Sequence, residues 1–164
     1  MKILNLWDKL RKAIAPSSKR KYSHSVIIPD IGLLFFNQEG SRYYWSGQVH
    51  NIAAEYDIEL RIFSSGLSGP SAEQLSEVVE LARQYQGLKS ILLFQLKQYL
   101  RQKGQDVSLE ELEAVFFWSS VELSEDFRWT IVLEPAYKAN SDFDFMPQFQ
   151  LYRNSVIGTQ FGDQ

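Results

Sequence analysis

Two glutamates, Glu122 and Glu134, lie in neighbouring β-prone segments of the chain. Paired across antiparallel strands they would form an acid and a base, because like charges brought close raise one carboxyl pKa and leave the other group ionised. That is the chemistry of a small hydrolase. The milder expectation for the same glutamates is ion pairing with Arg61 or Arg128. His24 and His50 are the only histidines; each stands alone among Ser, Tyr, Val and Asn and is read as a surface residue, not a ligand or base. The run Asn140-Ser141-Asp142-Phe143-Asp144 is rich in oxygen ligands but lacks the glycine and the bidentate glutamate of a calcium loop, so it reads as a solvated acidic loop. The chain has no cysteine, which removes disulfides, thiolate metal sites and a cysteine nucleophile. Phosphate-cradling glycine loops, nucleophile elbows and zinc-ligand spacings are also missing from the sequence. No metal and no cofactor is expected.

The elements that must position these residues are legible as hydrophobic periods. Between Ser71 and Lys103 the apolar residues recur every three to four positions: Leu75, Val78, Val79, Ala82 and Tyr85, then Leu88, Ile91, Leu92, Leu96, Tyr99 and Leu100. Ser71 and Gln74 have the spacing of a capping box at the start, Gly87 fits a stop between two helices, and the second helix is expected to end near Gly104. Ser108 and Glu111 repeat the capping-box spacing for a short helix. Strand signals run over 25–28, 33–36, 42–49 and 57–63. In the last of these Ile58, Leu60 and Ile62 alternate with Asp57, Glu59 and Arg61. Residues 114–123 and 127–134 read as an antiparallel pair with Trp129, Ile131 and Leu133 inward. A last strand over 145–156, interrupted by Pro147, sets Phe149 and Leu151 inward and is expected at an edge or with an irregular start. The predicted fold is α+β: a mostly antiparallel sheet of about six to seven strands with two or three helices packed on one face.

Charge divides the chain. Residues 1–21 hold seven Lys and Arg against Asp8, about +6, whereas the remainder holds ten against nineteen acids, about −9. The expected organisation is a basic amphipathic extension over 1–21 and a single α+β domain over 22–164. In the extension Leu6, Trp7, Leu10 and Ile14 mark one side of a short helix, suited to a membrane surface, a partner's groove or its own domain. The acidic body argues against nucleic acid as a partner. With no apolar run near the length of a membrane span and no secretory leader pattern, a cytoplasmic protein is the expectation. At 164 residues a domain can bury roughly two thirds of its unfolded surface without metals or disulfides.

Helices gathered on one side of a sheet leave the other side open. Alternation places Glu59, Arg61, Trp118, Glu122, Arg128, Thr130, Glu134 and Tyr152 there, a polar surface with embedded aromatics of the kind found at transient protein interfaces. Gly32-Leu33-Leu34, Tyr44-Trp45-Ser46-Gly47, the strand 57–63, the Gly69-Pro70-Ser71-Ala72-Glu73-Gln74 helix start and Phe149-Gln150-Leu151-Tyr152-Arg153-Asn154 together give a pattern. It resembles a group of uncharacterised bacterial domains, some of whose members look like immunity proteins found beside toxins. The resemblance covers most of residues 22–164. Where that group often carries an acidic and histidine-containing turn between its last strands, this chain has Asp142 and Asp144 and no histidine. The expected function is a non-enzymatic protein-binding module, toxin-neutralising or adaptor-like, that uses the open sheet face and the acidic loop at Asp142 and Asp144, and its acidic body would steer a basic partner such as a nuclease toxin. The alternatives are the acid-pair hydrolase and peripheral membrane attachment through residues 1–14.

Overall fold

In the computed structural model, residues 24–53, 56–136 and 143–162 are described. Four strands come first, each reversing on its predecessor: β1 (Ser25–Ile28), β2 (Gly32–Glu39), β3 (Arg42–Val49) and β4 (Ile58–Phe63). Period-two alternation produces them, since Ile58, Leu60 and Ile62 are fully buried while Glu59 and Arg61 stay partly exposed. In β3 the inward positions are Trp45, Gly47 and Val49. Gly47 is required there because a Cβ would lie 2.2 Å from the Leu33 carbonyl oxygen of β2.

The chain then leaves the sheet as one long helix, α1 (Ala72–Gln102). The Ser71 hydroxyl accepts from the Gln74 N–H at 3.1 Å and the Gln74 side-chain oxygen accepts from the Ser71 N–H at 3.0 Å, so the expected capping box forms. Gln74 also donates to the Phe63 carbonyl at 2.8 Å, which ties the helix start to the end of β4. Gly87 does not divide the helix. Val78, Leu81 and Tyr85 before it and Leu88, Leu92 and Leu96 after it are buried in one core cluster. That shared burial outweighs the about 1 kcal/mol that a glycine costs in a helix interior. The stop comes at Gly104, in the left-handed region at φ 82°. There the Gln105 N–H bonds the Leu100 carbonyl and the Gly104 N–H the Arg101 carbonyl, a Schellman ending.

A second capping box, Ser108 with Glu111, opens α2 (Leu109–Val115). Its hydrogen bonds from the backbone and side chain of Ser108 hold the Glu111 carboxyl below its usual pKa. Four more strands follow: β5 (Phe116–Leu123), β6 (Arg128–Pro135), β7 (Gln148–Tyr152) and β8 (Ser155–Gln160). The result is one eight-stranded sheet in the order β1 to β8, antiparallel except for the central β4–β5 pair. The parallel pairing follows from the crossover, because α1 carries the chain back along the sheet before β5 begins.

The eighth strand, one more than the seven segments read from the sequence, has a local cause at the end of the chain. Residues 145–156 are not one strand. Arg153 and Asn154 take φ of 46° and 64° and turn β7 into β8 as a two-residue hairpin. Consequently β7 is internal, and Pro147 precedes its first residue, its carbonyl accepting from the Leu133 N–H at 2.9 Å. The inner sheet face and α1 share one core, with the Tyr85 and Trp118 rings meeting edge-on at 4.8 Å. No helix among the described residues is long and apolar enough to cross a membrane.

Candidate functional site

Burial of one sheet face fixes what the other presents. On the side away from α1, strand register lines up Phe35, Ser46, Arg61, Glu122, Thr130 and Gln150 in a single row across β2 to β7. A neighbouring row carries Glu59, Ser120, Val132 and Gln148. All except Gln150 are only partly exposed, and none is buried.

Arg61 is the centre of this face. One terminal nitrogen donates to Glu122 Oε1 and the other to Glu59 Oε1, both at 2.9 Å, and the guanidinium lies 5.2 Å from the centroid of the Tyr44 ring. Burial works against its charge, but the Glu59 hydrogen bond and the fields of Glu59 and Glu122 outweigh that, so its pKa is raised. Its Nε is buried with no hydrogen-bond partner among the described residues. The guanidinium is therefore a rigid, pre-oriented cation flanked by two carboxylates on an open surface.

Trp118 is not part of this face. It is fully buried against Tyr85. The cause is a bulge: Trp118 pairs with Leu133 but Ser120 with Val132, so Ser119 is an extra residue that reverses the alternation within β5. Phe116 and Trp118 therefore point inward before the bulge and Val121 and Leu123 after it. Phe117 takes the outer position, its ring 4.8 Å from that of Tyr56. Glu122 and Glu134 are not brought together. Glu122 sits opposite Thr130 and Glu134 opposite Phe117, which separates them by about 13 Å along the strand at roughly 3.3 Å per residue. An acid and base pair is not formed by these two groups.

The remaining expected residues distribute as follows. Arg128 is exposed and bonded through Nε to Asp126 at 2.8 Å. The Asp126 carboxyl is held below its usual pKa chiefly by the Ser124 hydroxyl, which together with the field of Arg128 outweighs an opposing effect of burial. Tyr152 is exposed opposite Arg128, with the Arg153 guanidinium 5.4 Å from its ring centroid. Asp144 is exposed, whereas Asp142 and the extension residues Leu6, Trp7, Leu10 and Ile14 lie outside the described residues. His50 is not alone: its Nδ1 pairs with Asp57 Oδ1 and closes the loop between β3 and β4. Among the described residues no group of three or more His, Cys, Asp or Glu is placed to hold a metal.

Sequence reasoning missed Tyr44, which stands behind Arg61, and the recess beside Phe63. Tyr44 was discoverable, since it alternates with Trp45 along 42–49 in the same way that Arg61 alternates with Ile62. The recess, about 570 Å³ and open to solvent, lies at the carboxyl ends of β4 and β5. Arg42, Tyr43, Phe63, Ser64, Ser124 and Glu125 are among the residues that line it. It depends on β4 and β5 being neighbours, which no local pattern announces.

Compared with known proteins, the chain matches no family model, and no curated protein and no solved structure is significantly similar to it.

Proposed function

We propose that the chain is a protein-binding module of the immunity or adaptor kind, gripping its partner with the outer face of the sheet. The observation that carries the reading is the Arg61 cluster. Three charged groups and an aromatic ring are pre-arranged on a face that no other described element covers. An arginine held over a ring is the residue type enriched at interface centres, and its geometry is set before a partner arrives. The recess bordered by Phe63 suits an anchoring side chain of the partner. Glu59, Glu122 and Glu134 outnumber Arg61 and Arg128 on this side, and residues 22–164 carry about −9. A basic protein, such as a nuclease toxin, is the partner class this charge would steer.

The test is co-expression with the product of the adjacent gene, followed by affinity measurement on purified proteins. Thr130 lies in the central row beside Glu122 without a role in the core, so Thr130→Lys leaves the fold intact and adds a cation where a basic partner docks. The expected result is a complex with the parent chain and binding weaker by about tenfold or more in the variant. Folded protein that forms no complex, or a complex indifferent to Thr130→Lys, rejects the proposal.

A further inference from the structure

The side of α1 turned away from the sheet is organised in a way its own fold does not require. Gly87 lies near the middle of this helix, exposed, and a Cβ added there would meet nothing within 4 Å. No close neighbour among the described residues accounts for a glycine at a position where it weakens the helix. At about 100° per residue, Gly87, Ser90, Ile91 and Phe94 fall in one band, and Ile91 and Phe94 are 46% and 51% exposed. Glu80 and Arg83 lie upstream in the same band, Gln98 and Arg101 downstream.

This band is complementary to itself. About a two-fold axis passing between Ser90 and Ile91, an antiparallel copy sets Phe94 against the partner's Gly87 and Ile91 against the partner's Ser90. It also brings the ion pair that Arg83 makes with Glu80 at 2.6 Å within its own helix up to the partner's far end, Glu80 against the partner's Arg101 and Arg83 against the partner's Gln98. Each large side chain meets a small one, each acid meets a base, and every pairing occurs twice, as an isologous interface demands. The glycine supplies the close backbone approach into which a ring can be seated. We infer that a second copy of this chain docks on α1, antiparallel helix to helix, with Phe94 of each protomer seated on Gly87 of the other. Both outer sheet faces stay open in such a dimer, so this assembly and the partner binding proposed above can fail independently.

The chain contains no cysteine, which makes the experiment direct. Ser90→Cys places a thiol beside the axis, and mild oxidation is expected to give a covalent dimer well ahead of Ser76→Cys, exposed on the same helix but far from the axis. Sedimentation velocity of the full chain is expected to show the mass doubling with concentration. Gly87→Leu and Phe94→Glu should each weaken the association by about tenfold or more, without lowering thermal stability in dilute solution. Glu80→Arg should weaken it as well, and adding Arg101→Glu to the same chain should restore it. A monomer at every accessible concentration, or equal cross-linking of the two cysteine variants, overturns the inference. So does dimerisation that appears only after deletion of residues 1–21, which would make that segment the occupant of the band.

Discussion

The same substitution at two glycines should move stability in opposite directions. At Gly47 a new Cβ would sit 2.2 Å from the Leu33 carbonyl oxygen, more than 1 Å inside the roughly 3.5 Å at which non-bonded heavy atoms rest. The obstruction is backbone, so no rotamer change relieves it and β2 and β3 must part locally. Overpacking of this sort costs about 1–3 kcal/mol. Replacing glycine in a strand returns about 0.5–1 kcal/mol of chain entropy, which leaves a net loss of about 1–2 kcal/mol for Gly47→Ala. At Gly87 the new methyl meets open space, and only the helix propensity changes, a gain of about 0.8–1 kcal/mol. For a chain of this size 1 kcal/mol corresponds to about 2–4 °C. Calorimetry on dilute protein should therefore place Gly47→Ala roughly 2–8 °C below the parent chain and Gly87→Ala about 2–4 °C above it. Urea titrations should show the midpoints moving with unchanged slopes. A Gly47→Ala protein as stable as the parent, or a Gly87→Ala protein less stable, would refute the packing account of both sites.

Arg61 and Glu122 should show a coupling of about 0.5–1 kcal/mol in a double-mutant cycle built from Arg61→Ala and Glu122→Ala, shrinking as salt is added. The value is held low because the two side chains retain 31% and 32% exposure; zero coupling, or coupling indifferent to salt, contradicts the arrangement described. Glu111 gives a pH signature. Its folded pKa lies below the ordinary 4.5, so its stabilising effect is complete above 4.5 and is lost as pH falls through the lower folded value. Melting temperatures of the parent and Glu111→Gln should therefore converge on acidification, and a parent advantage that grows below pH 4.5 would count against the hydrogen-bonded cap.

Sequence and structure agree where each residue's local pattern has one explanation. Ile58, Leu60 and Ile62, the Trp129–Ile131–Leu133 set and the Phe149–Leu151 pair all alternate without interruption, and all are buried. Both capping boxes were legible because four consecutive residues contain the whole device. Arg61 was legible as a pairing residue for one of the two glutamates, although only register selected Glu122 over Glu134. Trp118 was misplaced because one inserted residue at Ser119 reverses every later side chain, and Phe116, Phe117 and Trp118 are alike enough to hide the change. Gly87 was read as punctuation because a glycine's signal is local, whereas the burial that carries the helix through it comes from the sheet. Arg153-Asn154 carries no glycine, so the final hairpin had little of the usual turn chemistry to announce it.

The parallel pairing of β4 with β5 divides the sheet into two meanders, each contiguous in sequence. Within a meander, neighbouring strands meet after short turns; across the seam, Arg61 and Glu122 meet over 61 residues of chain. Closing a loop that long costs about 2 kcal/mol more than closing a hairpin turn, so in folding the two halves are expected to zip internally before they join. A ligand laid along the Arg61 row touches both halves at once. It would act as a staple across the last-formed join, so its arrival should be detectable as slower hydrogen exchange in β4 and β5 together, even with no change in the backbone path.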